Sequence, residues 1–193
     1  KQIAQHNSYQ TALGSDIFQG VTLQILVCQN CHNRTYNFET FYSLSINMCN
    51  DIVQSLQEYF TKDITDEIDC ENCKRKHKQV KFIKFYKLPK FLVISLNRYN
   101  NLGQKMLSKI DINTNIMLSH NILYENKNNI ELVLSGHLNH FGSIDSGHYN
   151  ATSHKQGIII DDDVILPFKN EMLKENISVY MLFYQTNFTN FIV

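Results

Sequence analysis

The chain has 193 residues, and its 18 Lys and Arg balance 18 Asp and Glu, so the formal charge is zero. No polybasic face points to nucleic acid or an anionic membrane, no apolar run is long enough to span a bilayer, and the first residues lack the form of a signal peptide. With 43% hydrophobic residues and two prolines, the length suits one domain with a sizeable core and room for a small second module, not a long disordered linker.

Lys1-Gln2-Ile3 reads as the inside of a domain, so the sequence is expected to be a piece of a longer chain. Residues 21–27 are apolar and predict a strand that runs into Cys28-Gln29-Asn30-Cys31. Tyr36, Phe38, Tyr42, Leu44 and Ile46 recur at even spacing, which predicts one long half-buried strand. Asn50 or Asp51 caps a helix in which Ile52, Val53, Leu56, Tyr59 and Phe60 follow a 3.6 period. An acidic loop, 63–69, leads to Cys70-Glu71-Asn72-Cys73 and a basic run, 74–78, read as a solvated charged hairpin. Residues 80–86 predict a strand, and Leu88-Pro89-Lys90 a turn, since Pro89 cannot donate to a ladder. The run beginning Phe91-Leu92-Val93-Ile94 is continuously apolar and predicts a central strand covered on both faces. After a loop at 100–105, strands are expected at 110–118 and 130–138, one helical turn or two at 169–175, and a closing strand at 179–184. Strands dominate and no βαβ rhythm appears, which favours a mainly antiparallel sheet with few helices.

Four of the five cysteines form two Cys-x-x-Cys pairs, Cys28/Cys31 and Cys70/Cys73, separated by residues 32–69. Two knuckles of this spacing complete a tetrahedral S4 site, for which zinc is the expected metal; a redox pair and buried free thiols are the alternatives. Four protein ligands leave no open position for water, so the role is structural. The site would tie together an insertion of roughly residues 21–80. Cys49 stands alone and reads as a small buried hydrophobe. Unpaired thiols imply a reducing compartment, cytoplasmic or nuclear.

Residues 132–163 carry the chemistry. An apolar strand passes through the Gly/Ser-rich loop at 142–147 to His148-Tyr149, turns at 154–157, and returns through Ile158-Ile159-Ile160 to Asp161-Asp162-Asp163. With a two-residue turn at His154-Lys155, His148 faces Asp161; with a four-residue turn at 154–157, Asp161 faces Asn150 and His148 lies one diagonal step away. Either register brings an imidazole to a carboxylate, as a catalytic base requires. The same residues also describe a surface histidine beside an acidic turn. Gly147, directly before His148, marks a place where another backbone comes close and favours the functional reading.

Five segments, in order, resemble the ubiquitin-specific proteases, the papain-like cysteine deubiquitinases. They are Asp16-Ile17-Phe18-Gln19-Gly20, the two Cys-x-x-Cys pairs, Leu88-Pro89-Lys90-Phe91-Leu92-Val93-Ile94-Ser95-Leu96-Asn97-Arg98-Tyr99, the segment ending Ser146-Gly147-His148-Tyr149, and Asp161-Asp162-Asp163-Val164 with Tyr180-Met181-Leu182-Phe183-Tyr184. They span residues 16–184. The resemblance implies a strand-rich α+β papain-like fold, with an antiparallel palm sheet at 81–193, a zinc-ribbon fingers insertion at 21–80, and the thumb largely missing from this sequence. It implies that His148 is the general base, that Asp161 orients it, and that Asp162 is a second, supporting acid. It also implies that loops 100–107 and 141–146 border a channel for ubiquitin's C-terminal tail, with Gly147 and Tyr149 lining it. Ubiquitin and ubiquitinated proteins are then the partners, and thiol acyl transfer the reaction.

The sequence also departs from the family. No segment resembles the N-terminal box that carries the nucleophilic cysteine, nor the Gln/Asp-rich helix after it. Ser95 and Asn97 stand where His and Lys are usual, and Ile158-Ile159-Ile160 where aromatic residues precede the acidic pair. The piece is therefore expected to be inactive alone. The alternative is a non-catalytic ubiquitin-binding module of pseudo-protease type. A zinc ribbon that binds nucleic acid through residues 74–78 is disfavoured by zero net charge and the lack of a stacking series.

Overall fold

The computed structural model describes residues 14–126 and 128–187. The opening tripeptide lies outside them. A short helix, α1 (Ser15–Phe18), leads into β1 (Gly20–Cys28), which pairs antiparallel with β2 (Arg34–Phe41). The chain then bends at Tyr42-Ser43 and enters β3 (Leu44–Ile46). The expected single strand is therefore two. Tyr36 and Phe38 are exposed on β2, whereas Leu44 and Ile46 are buried on β3, in a different sheet. Even spacing persists across the bend, so periodicity alone does not show it.

The helix α2 (Ile52–Tyr59) is capped by Asp51, whose carboxylate accepts from the Gln54 amide at 2.8 Å. Its apolar face, Ile52 and Leu56, joins the core with Phe60 and Phe85. Two short strands, β4 (Asp63–Ile64) and β5 (Ile68–Cys70), follow. β5 pairs with β6 (Arg75–His77) in the expected charged hairpin. β7 (Gln79–Lys87) returns along β1, with Cys28 opposite Gln79, to complete a four-stranded sheet in the order β2-β1-β7-β4.

After the turn at Pro89 come β8 (Phe91–Leu96) and β9 (Asn115–Leu118). The latter is shorter than the strand expected at 110–118. Asn176 explains the difference: its side chain takes the Ile110 amide at 3.0 Å and donates to the Ile110 carbonyl, replacing ladder bonds at that residue. A 3-10 turn (His120–Ile122) precedes β10 (Ile130–Gly142), the longest strand, which is followed by β11 (Gly147–Ser153), β12 (Ile158–Asp161) and β13 (Val164–Pro167). A 3-10 segment (Asn170–Glu175) leads to β14 (Val179–Thr186). The large sheet runs β13-β12-β11-β10-β14-β8-β3, with β9 on β10; only β3 pairs parallel to its neighbour.

One core, centred on Leu92, Ile94, Leu132, Leu182 and Tyr184, lies against the large sheet and takes in α2 and β3. Residues 44–60, inside the span expected for the fingers, thus pack with the large sheet because their apolar side chains are buried there. Arg98 is fully buried and spends its guanidinium on carbonyls, of Val179, Ser108 at 2.9 Å and Asn176 at 2.8 Å. Burial lowers its pKa to about 10, and the satisfied N–H groups fasten the loop after β8 to the start of β14.

Candidate active-site hairpin and cysteine cluster

The β11–β12 ladder pairs Ala151 with Ile160, Thr152 with Ile159 and Ser153 with Ile158. This is the four-residue register. One step further, Asn150 stands beside Asp161, and the Asn150 amide donates to Asp161 Oδ2 at 3.3 Å. His148, on the same face two residues earlier, reaches diagonally and bonds through Nε2 to Asp161 Oδ1. Because a carboxylate only accepts, Nε2 carries the hydrogen when the ring is neutral, and Nδ1 is left as the basic nitrogen. The hydrogen bond that His148 donates to Asp161, together with the negative charge there, raises the His148 pKa; the same bond, with that from Asn150, lowers the pKa of Asp161. The pair is accessible, with the two side chains 47% and 32% exposed.

Asp162 begins the two-residue turn into β13 in a left-handed conformation, φ 48°. One ligand-type atom each from His148, Asp161 and Asp162 lie within 4.8 Å of one another. Among the described residues Asp162 makes no hydrogen bond to His148, and its charge raises the His148 pKa after the contribution of Asp161.

On the other face of the β10–β11 ladder lies His140, which the sequence reading did not single out. It is 3% exposed and pairs across the ladder with Tyr149, with ring centroids 4.6 Å apart. Its Nδ1 meets the Tyr99 hydroxyl at 3.0 Å and the Lys105 ammonium at 3.2 Å, which ties the 100–105 loop to β10. Burial first, and the Lys105 charge second, keep His140 less basic than usual. The ring also explains Gly147: a Cβ there would stand 2.1 Å from His140 Nε2 and 2.5 Å from the Phe141 carbonyl oxygen. The approach that the sequence suggested at Gly147 is thus made by a backbone carbonyl and by an imidazole. The signal for His140 was its alternation with Leu138 along β10, but that spacing does not distinguish a packed histidine from a filler.

Cys28, Cys31, Cys70 and Cys73 converge at the far end of β1 and β7, with all four sulfurs within 4.8 Å of one another. Cys31 and Cys70 are 3.6 Å apart, Cys28 and Cys73 3.9 Å. A tetrahedron with metal–sulfur bonds of about 2.3 Å has edges of about 3.8 Å, so the spacing fits zinc. The two knuckles share one design. In each, the residue after the second cysteine is left-handed, His32 at φ 57° and Lys74 at φ 55°, and donates its N–H to the carbonyl of the first cysteine. In each, the asparagine before the second cysteine crosses over: Asn30 bonds the Cys73 sulfur at 3.4 Å, and Asn72 bonds the Cys31 sulfur. The Asn72 amide and the Asn33 backbone pull the Cys31 pKa down to about 6, whereas, against the Asn30 bond, the neighbouring cysteines and burial raise that of Cys73.

Cys49 corrects an expectation. It is half-exposed and donates its thiol to Glu58 at 2.9 Å, because its strand end leaves it at the edge of α2 instead of in the core. Bonding to a carboxylate raises the pKa of this thiol, the opposite of nucleophile activation.

With this geometry established, the comparisons are specific. The family model "Ubiquitin carboxyl-terminal hydrolase" matches residues 1–184, and the chain belongs to that family, in its ubiquitin-specific-protease branch. It is 27% identical over 189 residues to "Ubiquitin carboxyl-terminal hydrolase 23" of Arabidopsis thaliana, covering 92% of this chain and 22% of the relative. It is 26% identical over 172 residues to "Probable ubiquitin carboxyl-terminal hydrolase 8" of Schizosaccharomyces pombe, covering 87% of this chain and 38% of the relative. The fold matches a chain in the "SAGA Ubp8/Sgf11/Sus1/Sgf73 DUB module bound to ubiquitin aldehyde", with a TM-score of 0.82 at 23% identity, covering 95% of this chain and 44% of that one. The strand-rich α+β architecture is therefore the expected papain-like ubiquitin-specific-protease fold. The chain spans well under half of the length of these relatives.

Proposed function

We propose that this chain is the part of a thiol-dependent deubiquitinase that carries the general base and the acid that orients it. The observation that supports this most directly is the His148–Asp161 bond through Nε2, which leaves Nδ1 as the basic nitrogen of an accessible pair. In this reading Nδ1 takes the proton of a cysteine thiol, and the thiolate attacks the carbonyl carbon of ubiquitin's terminal glycine. The imidazolium then returns the proton to the departing amine, leaving a thioester. Water attacks that thioester as Nδ1 takes its proton, and a carboxylate and the free thiol result. Asp161 holds the tautomer and stabilises the imidazolium, Asp162 supports it, and Gly147 and Tyr149 line the slot for the tail.

No cysteine of this sequence is assigned as the nucleophile. Four converge on one another and the fifth faces Glu58. The nucleophile belongs, in this proposal, to a segment outside the sequence, and the piece alone does not turn over substrate. In this reading the cysteine cluster holds structural zinc in a fingers module within 21–80, of which residues 44–60 pack with the palm at 81–193, and the two together grip ubiquitin. Ubiquitin and its conjugates are the partners in this reading, and a zinc-binding cysteine set suits a reducing compartment, cytoplasmic or nuclear.

A ubiquitin probe with a C-terminal electrophile, applied to this piece and to the full-length gene product, tests the assignment. Labelling of the full-length product alone supports it. Labelling of neither, with ubiquitin still bound, replaces it with a non-catalytic ubiquitin-binding module. Labelling of the piece makes Cys49 or another cysteine here the nucleophile.

A further inference from the structure

Asp161 has two carboxylate oxygens, and His148 occupies one. The other is met by a chain of polar side chains that crosses four neighbouring strands. Ser178, directly before β14, donates its hydroxyl to Asn139 Oδ1 at 3.1 Å. Asn139, on β10, donates through Nδ2 to Asn150 Oδ1 at 2.9 Å. Asn150, on β11, donates through Nδ2 to Asp161 Oδ2 at 3.3 Å, at the end of β12. We propose that Ser178, Asn139 and Asn150 form a positioning relay that fixes the direction of the Asp161 carboxylate and, through it, of the His148 ring. This rests on the reading of His148 as the base.

Two features carry the relay. Its polarity is set from the acidic end. A carboxylate only accepts, so the Asn150 NH2 faces Asp161 and its carbonyl faces Asn139; the Asn139 NH2 then faces Asn150, and its carbonyl is left for the Ser178 hydroxyl. Each asparagine accepts on one side and donates on the other; a flip of Asn150 loses both its bonds, and a flip of Asn139 loses the bond to Asn150. The backbone is also shaped for it. Asn139 and Asn150 are direct cross-strand partners, while the β10–β14 register shifts between Leu138 and Asn139. That bulge puts Asn139 opposite Val179 and within reach of Ser178, and the Ser178 carbonyl accepts the His140 amide at 2.8 Å beside it. A bulge that re-aims one side chain beside an active site is a recurrent device.

The consequence is geometric. Asp161 is half-exposed at a strand end, and its carboxylate has no other hydrogen bond among the described residues than those to His148 and Asn150. Without Asn150 the carboxylate rotates, Nε2 follows it, and Nδ1 no longer points consistently at the thiol. Asn150 is a positioning residue that acts through Asp161 and touches no substrate.

The test uses the full-length product and hydrolysis of a ubiquitin C-terminal reporter. Asn150→Ala is expected to lower kcat about tenfold with KM within about twofold, the scale of one hydrogen bond to a charged group. The same substitution made on Asp161→Ala should change kcat by less than about twofold, since the relay works only through that carboxylate. Asn139→Ala, one residue further from Asp161, should cost about threefold. Should Asn150→Ala unfold, Asn150→Asp carries the test: it keeps the size and the acceptor for Asn139 but cannot donate, and should lose at least as much kcat. Activity within about twofold of the parent for Asn150→Ala, or an equal drop in both backgrounds, overturns the relay. An active His148→Ala enzyme sinks the base assignment itself; an inactive one beside a normal Asn150→Ala sinks the relay alone.

Discussion

The fingertip and the hairpin at 147–161 hold their reactive groups by different means. At the fingertip, two copies of one backbone turn present four sulfurs, and each turn is closed by its own N–H to carbonyl bond and a left-handed residue. In the hairpin, the backbone only brings His148 and Asp161 within a diagonal step; a side-chain bond from Asn150 holds the carboxylate, while His140 packs against Gly147 on the other face. The first arrangement is local and repeated, so a short spacing rule finds it. The second depends on cross-strand register, which no single segment specifies.

This contrast sets what was legible. The cysteine pairs, the Asp51-capped helix and the charged hairpin at 68–77 could all be read from spacing and turn chemistry. The hairpin geometry could be read only to within two registers, because 154–157 accommodates a turn of either length; the ladder selects the longer one. The Asn139–Asn150 pair was out of reach, since its link to Ser178 needs a bulge that the alternation of β10 conceals. The break at Tyr42-Ser43 was hidden in the same way, by a side-chain alternation that continues while the chain changes sheets.

Substitutions can break or sharpen this comparison. Cys28→Ser should have the largest effect: loss of bound zinc and of amide protection across β1, β2 and β7, with an apparent binding energy on the order of 10 kcal/mol at stake. Unchanged zinc content by metal analysis would contradict the four-sulfur assignment. Asp161→Ala should lower reporter hydrolysis by the full-length product about a hundredfold and Asp162→Ala only a few-fold; the reverse order would exchange the roles of the two acids. In Asp161→Asn the His148 titration, followed by NMR, should move to lower pH, because the carboxylate that raises it is gone.

Gly147→Ala should cost about 1–3 kcal/mol, since the Phe141 carbonyl cannot move as a side chain does. A melting temperature equal to that of the parent would show that the His140 layer is looser than described. The smallest effect concerns His137, buried against His154 with 2.9 Å between ring nitrogens. Burial, then the neighbouring His154, depresses its pKa to about 4. The unfolded chain takes up this proton near 6.5, so the contribution is complete above that pH and is lost as pH falls towards 4. Urea midpoints at pH 7.5 and 5 should therefore differ less in His137→Gln than in the parent; equal differences would remove His137 from the acid response.

The most direct measurement is hydrolysis of a ubiquitin C-terminal reporter by the full-length product and by its His148→Ala variant, with zinc content and folding checked in both. Loss of turnover in a folded, zinc-loaded His148→Ala protein is the result expected if Nδ1 of His148 is the base. Turnover equal to that of the parent would mean that the His148–Asp161 pair is structural and that the proton is taken elsewhere.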